Sequence, residues 1–226
     1  MISNLQIRKL SQDMLAKKWK DAVLLALIYM LIYIIIYGIL IALDDFLSPS
    51  SFEGSSINLS RVIVWAPMTL VLFPFLEFGI IQYFVHMSRK GPAAPKDLLA
   101  AVNTSVPPTS VIILDLVKRI FIGLWSLLLI IPGYVKRCSY AMAIYILRDN
   151  PSMGTLEALR ESERMMRGYK WQYVCLILSF TGWFLLSVLT CGIGFLWFIP
   201  YFKLSIANFY VNLCVCEDRN FPYIFS

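Results

Sequence analysis

The feature that most constrains this chain is a long apolar stretch at residues 168–213, which carries charge only at Lys170 and Lys203. Small residues near Thr190 divide the stretch into two halves. Each half approaches the roughly 20 residues that cross a bilayer as a helix. A soluble core helix is neither this long nor this apolar, so the stretch predicts a membrane hairpin. Its two helices are expected at residues 171–190 and 193–215.

The composition of the whole chain favours a membrane protein. Hydrophobic residues make up 59% of the chain and charged residues 15%, with a mean hydropathy of +0.70. Soluble domains have about 45–50% apolar and about 25% charged residues. The formal net charge of +6 comes without a nucleic-acid-binding motif, so no nucleic acid partner is expected. Basic residues beside apolar spans are typical of cytoplasmic flanks that contact anionic lipid headgroups.

Apolar runs predict further membrane spans before the hairpin. The first follows a basic amphipathic segment at residues 1–20, which places Ile7, Leu10 and Met14 on one helical face. This first span is too long for a cleaved signal peptide. The polar loop at residues 44–61 is expected outside, whereas Arg89, Lys90 and Lys96 place the segment after the second span in the cytoplasm. The predicted spans lie at residues 22–43, 62–87, 110–131 and 134–147.

The segment at residues 134–147 is the shortest predicted span. Pro132-Gly133 is expected to break the helix before it. At about 1.5 Å per residue the segment reaches only about 21 Å, so it must extend past Leu147, thin the bilayer or lie partly within it. Together the spans predict an all-α polytopic membrane protein. It would have about six transmembrane helices in three helical hairpins, cytoplasmic amphipathic helices and both termini in the cytoplasm.

The most polar segment, residues 148–170, is predicted to be a cytoplasmic helix. Thr155 is its expected N-cap and Gly168 its C-terminal stop, while Leu159 and Met166 share an apolar stripe with Leu156. A charged helix lying on the membrane surface is the simpler interpretation, and a docking site for a protein partner is the alternative. The candidate partner-docking surface consists of Leu156, Arg160, Glu163, Arg164 and Arg167.

The chain is expected to form a single integral membrane domain, residues 1–226, built from a repeated plan. Each unit has an amphipathic helix, an ascending span, a break and a descending span that contains or follows proline. Similar sequences follow Lys18-Trp19 and Lys170-Trp171, which favours common ancestry of the units, although Trp and Lys at a membrane entrance also recur for interfacial reasons alone. The units would be residues 1–87, 95–148 and 155–216.

Several short motifs resemble a known family. They are LSQDMLAKKWKDAVLL at residues 10–25, IIPG at 130–133, DNP at 149–151, MMRG at 165–168 and GIGFLWFIPY at 192–201. These motifs are similar to those of the bacterial integral membrane family named domain of unknown function 975. The resemblance covers most of the chain and is strongest after Ser126. It implies a six-helix protein of the bacterial cell membrane and brings no established activity or catalytic residue.

Charged side chains inside predicted spans are the main site candidates, because such charges are costly in a bilayer. Glu77 lies between Pro74 and Gly79 in a span with no basic residue at its centre, so its partner must come from another helix. Lys203 is the hypothesised counter-ion, and either a structural pair or a substrate site would explain it. Lys136 and Arg137 are expected to snorkel at the end of the fourth span. The candidate intramembrane polar cluster comprises Glu77, Asp115, Lys118, Arg119 and Lys203.

No motif in the sequence predicts catalysis, a metal site or a cofactor. The chain has one histidine, His86, and the pair Cys214-x-Cys216 lacks a second ligand pair. There is no Walker-type phosphate loop, no Gly-x-Ser-x-Gly elbow and no His-Glu-x-x-His. The five cysteines are expected to be free thiols. We therefore expect no enzymatic activity and no cofactor.

Two functions fit these features. We favour a non-catalytic module of the bacterial plasma membrane, such as an exporter-associated accessory protein or a toxin-immunity-like protein. Such a module would explain the paired intramembrane charges and the surface helices without a substrate. The alternative is a small transporter or lipid-handling protein with a polar intramembrane cleft near Glu77, Asp115 and Lys203. The oligomeric state is left open by the sequence.

Overall fold

The computed structural model describes residues 3–16, 18–47, 65, 68–89, 106–128 and 130–216. This part of the chain is helical and contains no strand, which agrees with the predicted all-α class. The helices are α1 (Asn4–Ala16), α2 (Trp19–Leu47), α3 (Phe73–Ser88, preceded by the π-helical turn Met68–Leu72), α4 (Pro108–Leu128), α5 (Ile130–Ser139), α6 (Ala143–Asp149), α7 (Thr155–Met165), α8 (Lys170–Leu178), α9 (Thr181–Leu189) and α10 (Phe195–Cys216).

Four segments of the described chain are long and apolar enough to cross a membrane, which indicates a membrane protein. They belong to α2, to the π-helical turn with α3, to α8 with α9, and to α10, and they coincide with four of the predicted spans. The first part of the predicted span at residues 62–87 lies outside the described residues, apart from Trp65. The four segments are Trp19–Leu43, Leu70–Ser88, Lys170–Leu189 and Phe195–Cys216.

The other two predicted spans are not among these segments. Helix α4 has 21 residues, but Asp115, Lys118 and Arg119 make it too charged to qualify by composition. The segment at residues 134–147 is divided between α5 and α6 by a turn at residues 140–142. Helices of 10 and 7 residues reach only about 15 Å and about 11 Å, so neither one crosses a bilayer alone.

Helix α4 ends at Leu128 and α5 begins at Ile130, and residue 129 between them lies outside the described residues. Pro132 and Gly133 do not interrupt a helix but belong to the first turn of α5, where a missing proline N–H costs little because that group has no intrahelical acceptor. Gly133 also permits the two helices to approach closely. A Cβ at this position would lie 2.9 Å from the Cα of Ser126, closer than any side chain tolerates without a backbone shift.

Helix α1 packs mainly against α10, with a face that contains Ile7 of the predicted face but not Leu10. Its buried residues are Ile7, Ser11 and Leu15, spaced by four residues as one helical face requires. Leu10, which the sequence assigns to that face, is 39% exposed. The difference arises because apolar periodicity overlooks the buried hydroxyl of Ser11.

Helix α7 begins and ends close to the predicted limits. Thr155 is its first residue rather than its N-cap, a position that Gly154 holds. Gly168 has a φ of +88° in the turn after the helix, the left-handed conformation that glycine adopts most easily. Leu159 and Met166 are buried as predicted, whereas Leu156 is 53% exposed and does not belong to the buried stripe.

Helices α3 and α10 form the centre of the fold. They pack against each other, and 61% of the apolar window in Phe195–Cys216 and 50% of that in Leu70–Ser88 are buried. The windows in Trp19–Leu43 and Lys170–Leu189 are each only 17% buried. Outward-facing apolar side chains over such lengths indicate contact with lipid, so α2, α8 and α9 form an apolar periphery around the α3–α10 pair.

Candidate functional site

A half-open cavity of about 830 Å³ lies between helices of the described part of the chain, and all five residues of the predicted polar cluster line it. Its walls come from six helices, which places residues distant in sequence around one space. The helices that contribute are α3, α4, α5, α6, α8 and α10.

Glu77 and Lys203 form an ion pair between α3 and α10. The Lys203 ammonium donates a hydrogen bond to Glu77 Oε1 over 2.9 Å, so Lys203 is the counter-ion hypothesised from the sequence. Both residues lie near the middle of segments long enough to cross a membrane. The Glu77 side chain is 48% exposed and that of Lys203 21%, because both face the cavity.

Asp115 holds two cations on its own helix, α4. Lys118 Nζ lies 3.0 Å from Asp115 Oδ1, and Arg119 Nε donates to Oδ2 over 2.5 Å. The carboxylate side chain is 10% exposed, whereas those of Lys118 and Arg119 are 27% and 49% exposed. The three residues therefore share one helical face, as their spacing predicts, with the carboxylate buried and the cations more open.

Arg137 on α5 also lines the cavity, although the predicted cluster omits it. Its side chain is exposed, and no carboxylate within the described chain forms an ion pair with it. Neighbouring Lys136 instead pairs with Glu163 over 2.7 Å. The cavity therefore contains more cations than carboxylates: Lys118, Arg119, Arg137 and Lys203 against Glu77 and Asp115.

The rest of the cavity wall is largely apolar and aromatic. Its aliphatic and phenylalanine residues are Ile81, Ile122, Ala141, Ile144, Ile177, Phe202 and Ile206, and its tyrosines are Tyr134, Tyr145 and Tyr173. Gly123 leaves room in this wall, since a Cβ there would meet no atom within 4 Å. A mostly apolar cleft with a few convergent charges is the usual form of a ligand-binding site.

A second polar cluster surrounds Asp149, the first residue of the DNP motif, and was not foreseen from the sequence. Arg89 donates to both carboxylate oxygens over 3.1 and 2.5 Å, Arg148 donates to Oδ1 over 3.1 Å, and the Tyr210 hydroxyl donates to Oδ2 over 2.7 Å. The Asp149 side chain is only 4% exposed. The cluster therefore joins α3, α6 and α10 without opening to a ligand.

Burial and charge act in opposite directions on Arg89, which lies just beyond the end of α3. Burial acts to lower the pKa of this guanidinium, but the hydrogen bonds and charge of Asp149 outweigh burial and raise the pKa. Arg148 contacts the same carboxylate. Both guanidinium groups stay charged at any physiological pH, so the buried carboxylate is needed to compensate them.

A chain of buried hydrogen bonds links α1 to the centre of the fold. The Ser88 hydroxyl donates to Asn208 Oδ1 over 2.5 Å, Asn208 Nδ2 donates to Ser11 Oγ over 2.8 Å, and Ser11 Oγ donates to the Ile7 carbonyl over 2.8 Å. Each of these polar groups thereby obtains a partner inside the core. The chain fixes the position of α1 on α10 and α3.

Helix α7 is attached through Ser162, which contacts the turn between α5 and α6. Its hydroxyl donates to the Ser139 carbonyl over 2.7 Å and accepts from the Met142 amide over 3.2 Å. Of the predicted docking surface, Glu163 is engaged with Lys136 and Arg164 pairs with Glu161 on the same helix. Leu156, Arg160, Arg164 and Arg167 are exposed.

The fold and the cavity define a class of protein: a helical membrane protein with a charged cavity that reaches the middle of two spans. The chain belongs to the family described as "Protein of unknown function (DUF975)", whose profile matches residues 1–139 and 127–216. The resemblance seen in the motifs is therefore confirmed. No curated protein and no solved structure matches the chain.

Proposed function

We propose that this chain is a non-catalytic protein of the bacterial plasma membrane that binds a small or lipid-like ligand in its cavity, as a transporter or lipid-handling protein does. The ion pair between Glu77 and Lys203, at mid-span and open to a cavity of about 830 Å³, carries the proposal. Charged residues in membrane segments that face a cavity mark substrate or ion pathways, whereas a pair that only fixed helix register would need no cavity beside it. Here nearly half of the Glu77 side chain faces the cavity.

This proposal reverses the order of the two functions derived from the sequence. The accessory or protective module was favoured because paired charges need no substrate. A cavity that brings the charges together with apolar walls supports the alternative, because it offers a ligand both ionic and apolar contacts.

For the arrangement in the membrane we propose six spans in three hairpins, with both termini in the cytoplasm. Helix α4 has 21 residues, and its charges are paired with one another, which lowers the cost of placing them at depth. Helices α5 and α6 would form the returning leg. A variant that retains Cys191 as its only cysteine and its derivatives Cys191→Ala/Leu127→Cys and Cys191→Ala/Arg160→Cys test this topology with a membrane-impermeant maleimide on intact cells.

The six-span arrangement predicts labelling from outside at Cys191 and at the cysteine placed at Leu127, and none at the one placed at Arg160. Leu127 is 87% exposed near the end of α4, so the reagent can reach it. If the Leu127 position reacts only after the cells are opened, α4 does not cross the membrane and the proposed topology is wrong.

The ligand-binding role is tested by filling the cavity. Gly123→Phe places a ring where an added Cβ meets no atom within 4 Å, so the fold has room for it and the cavity shrinks. Gly38→Phe is the matched control, because Gly38 is equally uncrowded but lies on α2 outside the cavity. We expect native mass spectrometry of the purified chain to show fewer bound lipids for Gly123→Phe only. Equal lipid retention in both variants would rule out the cavity as a binding site.

One observation favours partner docking as a second candidate function. The face of α7 that carries Leu156, Arg160 and Arg167 is exposed, although the opposite face of the helix is packed through Leu159 and Ser162. If this face binds a protein, Arg160→Glu with Arg167→Glu should release a stoichiometric partner from the purified protein without lowering its melting temperature. Wild-type protein that purifies alone from its native membrane would count against docking.

A further inference from the structure

We propose that the cavity binds an anionic phospholipid, with Arg137 as the principal contact of the headgroup phosphate and the apolar wall as the contact of the acyl chains. This inference rests on the proposed function and names the ligand class of the same site. It follows from the charge balance of the cavity and from the chemistry of its walls.

Among the described residues that line the cavity, four are basic and two are acidic. Glu77 pairs with Lys203, and Asp115 pairs with both Lys118 and Arg119. Arg137 has no carboxylate partner within the described chain. A cation beside apolar walls is costly unless an anion compensates it, so binding of an anion beside Arg137 is favoured. A phosphodiester offers two oxygens to the planar guanidinium of Arg137.

The walls distinguish a lipid from a free anion. Ile122, Ile144, Ile177 and Phe202 line the same space as the cations, and a free phosphate ion would gain nothing from contact with them. Acyl chains gain about 0.8 kcal/mol for each CH₂ group buried from water, although the gain is smaller when the chain comes from the bilayer. The cavity is half open, and α3, α8 and α10 among its helices belong to segments long enough to cross a membrane, so a lipid can enter from the bilayer.

The hydroxyl groups of the lining tyrosines add hydrogen-bond donors to the site. Tyr145 and Tyr173 both line the cavity, and a phenol can donate to a phosphate oxygen. Glu77 faces the same space and disfavours a second negative charge near Lys203. The site should therefore prefer a monoanionic headgroup over one with several negative charges.

The test measures lipid binding to the purified full chain in detergent by native mass spectrometry. The probes are phosphatidylglycerol and phosphatidylcholine with identical acyl chains, which differ in net headgroup charge. We expect wild type to bind phosphatidylglycerol at least tenfold more tightly. Arg137→Gln should weaken the binding of phosphatidylglycerol about tenfold, which is the effect of losing one charge-assisted hydrogen-bond partner. The same substitution should leave the affinity for phosphatidylcholine unchanged. Lys9→Gln, at an exposed lysine on α1, is the control and should change neither.

Three outcomes separate this inference from the proposed function. If both lipids bind equally and Arg137→Gln has no effect, while Gly123→Phe still abolishes binding, the anionic-lipid inference is overturned and the cavity function stands. If Gly123→Phe has no effect on either lipid, both are overturned. If inorganic phosphate at millimolar concentration displaces phosphatidylglycerol and binds in its place, the site recognises the free anion and the lipid assignment is wrong.

A second variant at Arg137 distinguishes a loss of lipid recognition from a loss of folding. Arg137→Lys keeps the charge but loses the fork-shaped pair of donors, so it should retain a preference for phosphatidylglycerol that is weaker than that of wild type. If Arg137→Lys loses the preference as fully as Arg137→Gln while its melting temperature matches wild type, the charge of this residue is not what selects the lipid, and the inference is overturned.

Discussion

The Lys203 ammonium lies 2.9 Å from the Glu77 carboxylate, across the contact between the two most buried membrane-compatible helices. Both side chains come from helix positions where no other charge of the same helix is near. The pair therefore sets the register of α3 against α10 and forms part of the cavity wall. A residue pair with both roles explains why the sequence alone could not decide between a structural pair and a ligand site.

Glu77→Gln should destabilise the protein, because it leaves the Lys203 ammonium without its carboxylate. Removing one partner of a fully buried ion pair costs about 3–5 kcal/mol. Since this pair faces the cavity, we expect about 1–3 kcal/mol. Thermal unfolding in detergent, followed by a dye that reacts with the buried thiols of Cys138 and Cys214, measures the change.

Glu161→Gln is the control for this experiment, because it breaks the pair with Arg164 on a helix surface, which is worth about 0–1 kcal/mol. The exchange Glu77→Lys with Lys203→Glu should recover most of the lost stability. An equal loss in the exchanged and the single variant would mean that the two charges do not interact.

Asp149→Asn should be the most destabilising single substitution in the polar clusters. The change leaves Arg89 and Arg148 buried without a carboxylate, at a cost of about 3–5 kcal/mol. Tyr210→Phe removes only one donor to the same carboxylate and should cost about 1–3 kcal/mol. The two melting temperatures, measured under the same conditions, give the comparison. Equal shifts would show that Asp149 does not compensate the two arginines.

The hydrogen-bond chain through Asn208 should hold α1 in place. Asn208→Leu leaves the Ser88 hydroxyl without its acceptor in the core, which costs about 1–3 kcal/mol. Replacing Ser11 and Ser88 by alanine in the same variant removes the other polar groups and should restore most of the stability. Trypsin cleavage at the exposed Lys9 reports release of α1, and we expect it to be faster in the single variant only.

Cleavage at the same rate in Asn208→Leu and wild type would show that α1 does not depend on this chain. A triple variant less stable than Asn208→Leu alone would indicate that packing, and not hydrogen bonding, determines the cost. Both readouts use the intact chain, so a detached α1 is distinguished from a lower global stability.

The membrane class and the members of the cavity cluster could be predicted because a charge in an apolar segment is visible in the sequence itself. Glu77 and Lys203 are conspicuous for this reason, and only another helix could supply the partner of Glu77. Arg137 could not be assigned, since Lys136 beside it is equally basic. Only the packing of α5 against α7 decides that Lys136 pairs with Glu163 while Arg137 faces the cavity.

Contacts between polar residues that are distant in the chain could also not be predicted from the sequence. Arg89 and Asp149 are separated by 60 residues, and nothing in their spacing links them, although the DNP motif marks Asp149 as part of a specific turn. The predicted face of α1 was wrong at Leu10 for a related reason. Periodicity counts apolar residues, whereas the buried face includes Ser11, whose hydroxyl is satisfied by Asn208 on another helix.

Gly133 should be required for the close approach of α4 and α5. Gly133→Ala places a Cβ 2.9 Å from the Cα of Ser126 and 2.2 Å from its Oγ, so the helices must separate, at a cost of about 1–3 kcal/mol. Gly182→Ala is the matched control, because a Cβ there meets no atom within 4 Å and alanine favours the helix. Its melting temperature should equal or exceed that of wild type.

Ser126→Gly should relieve part of the strain in Gly133→Ala, since it removes the hydroxyl but leaves the Cα in contact. Separation of α4 from α5 also moves Lys118 and Arg119 relative to Arg137, so Gly133→Ala should weaken binding of phosphatidylglycerol more than Gly182→Ala does. Gly133→Ala as stable as wild type would show that α4 and α5 are not in contact at this position, because an added methyl group cannot be accommodated at 2.9 Å from a backbone atom.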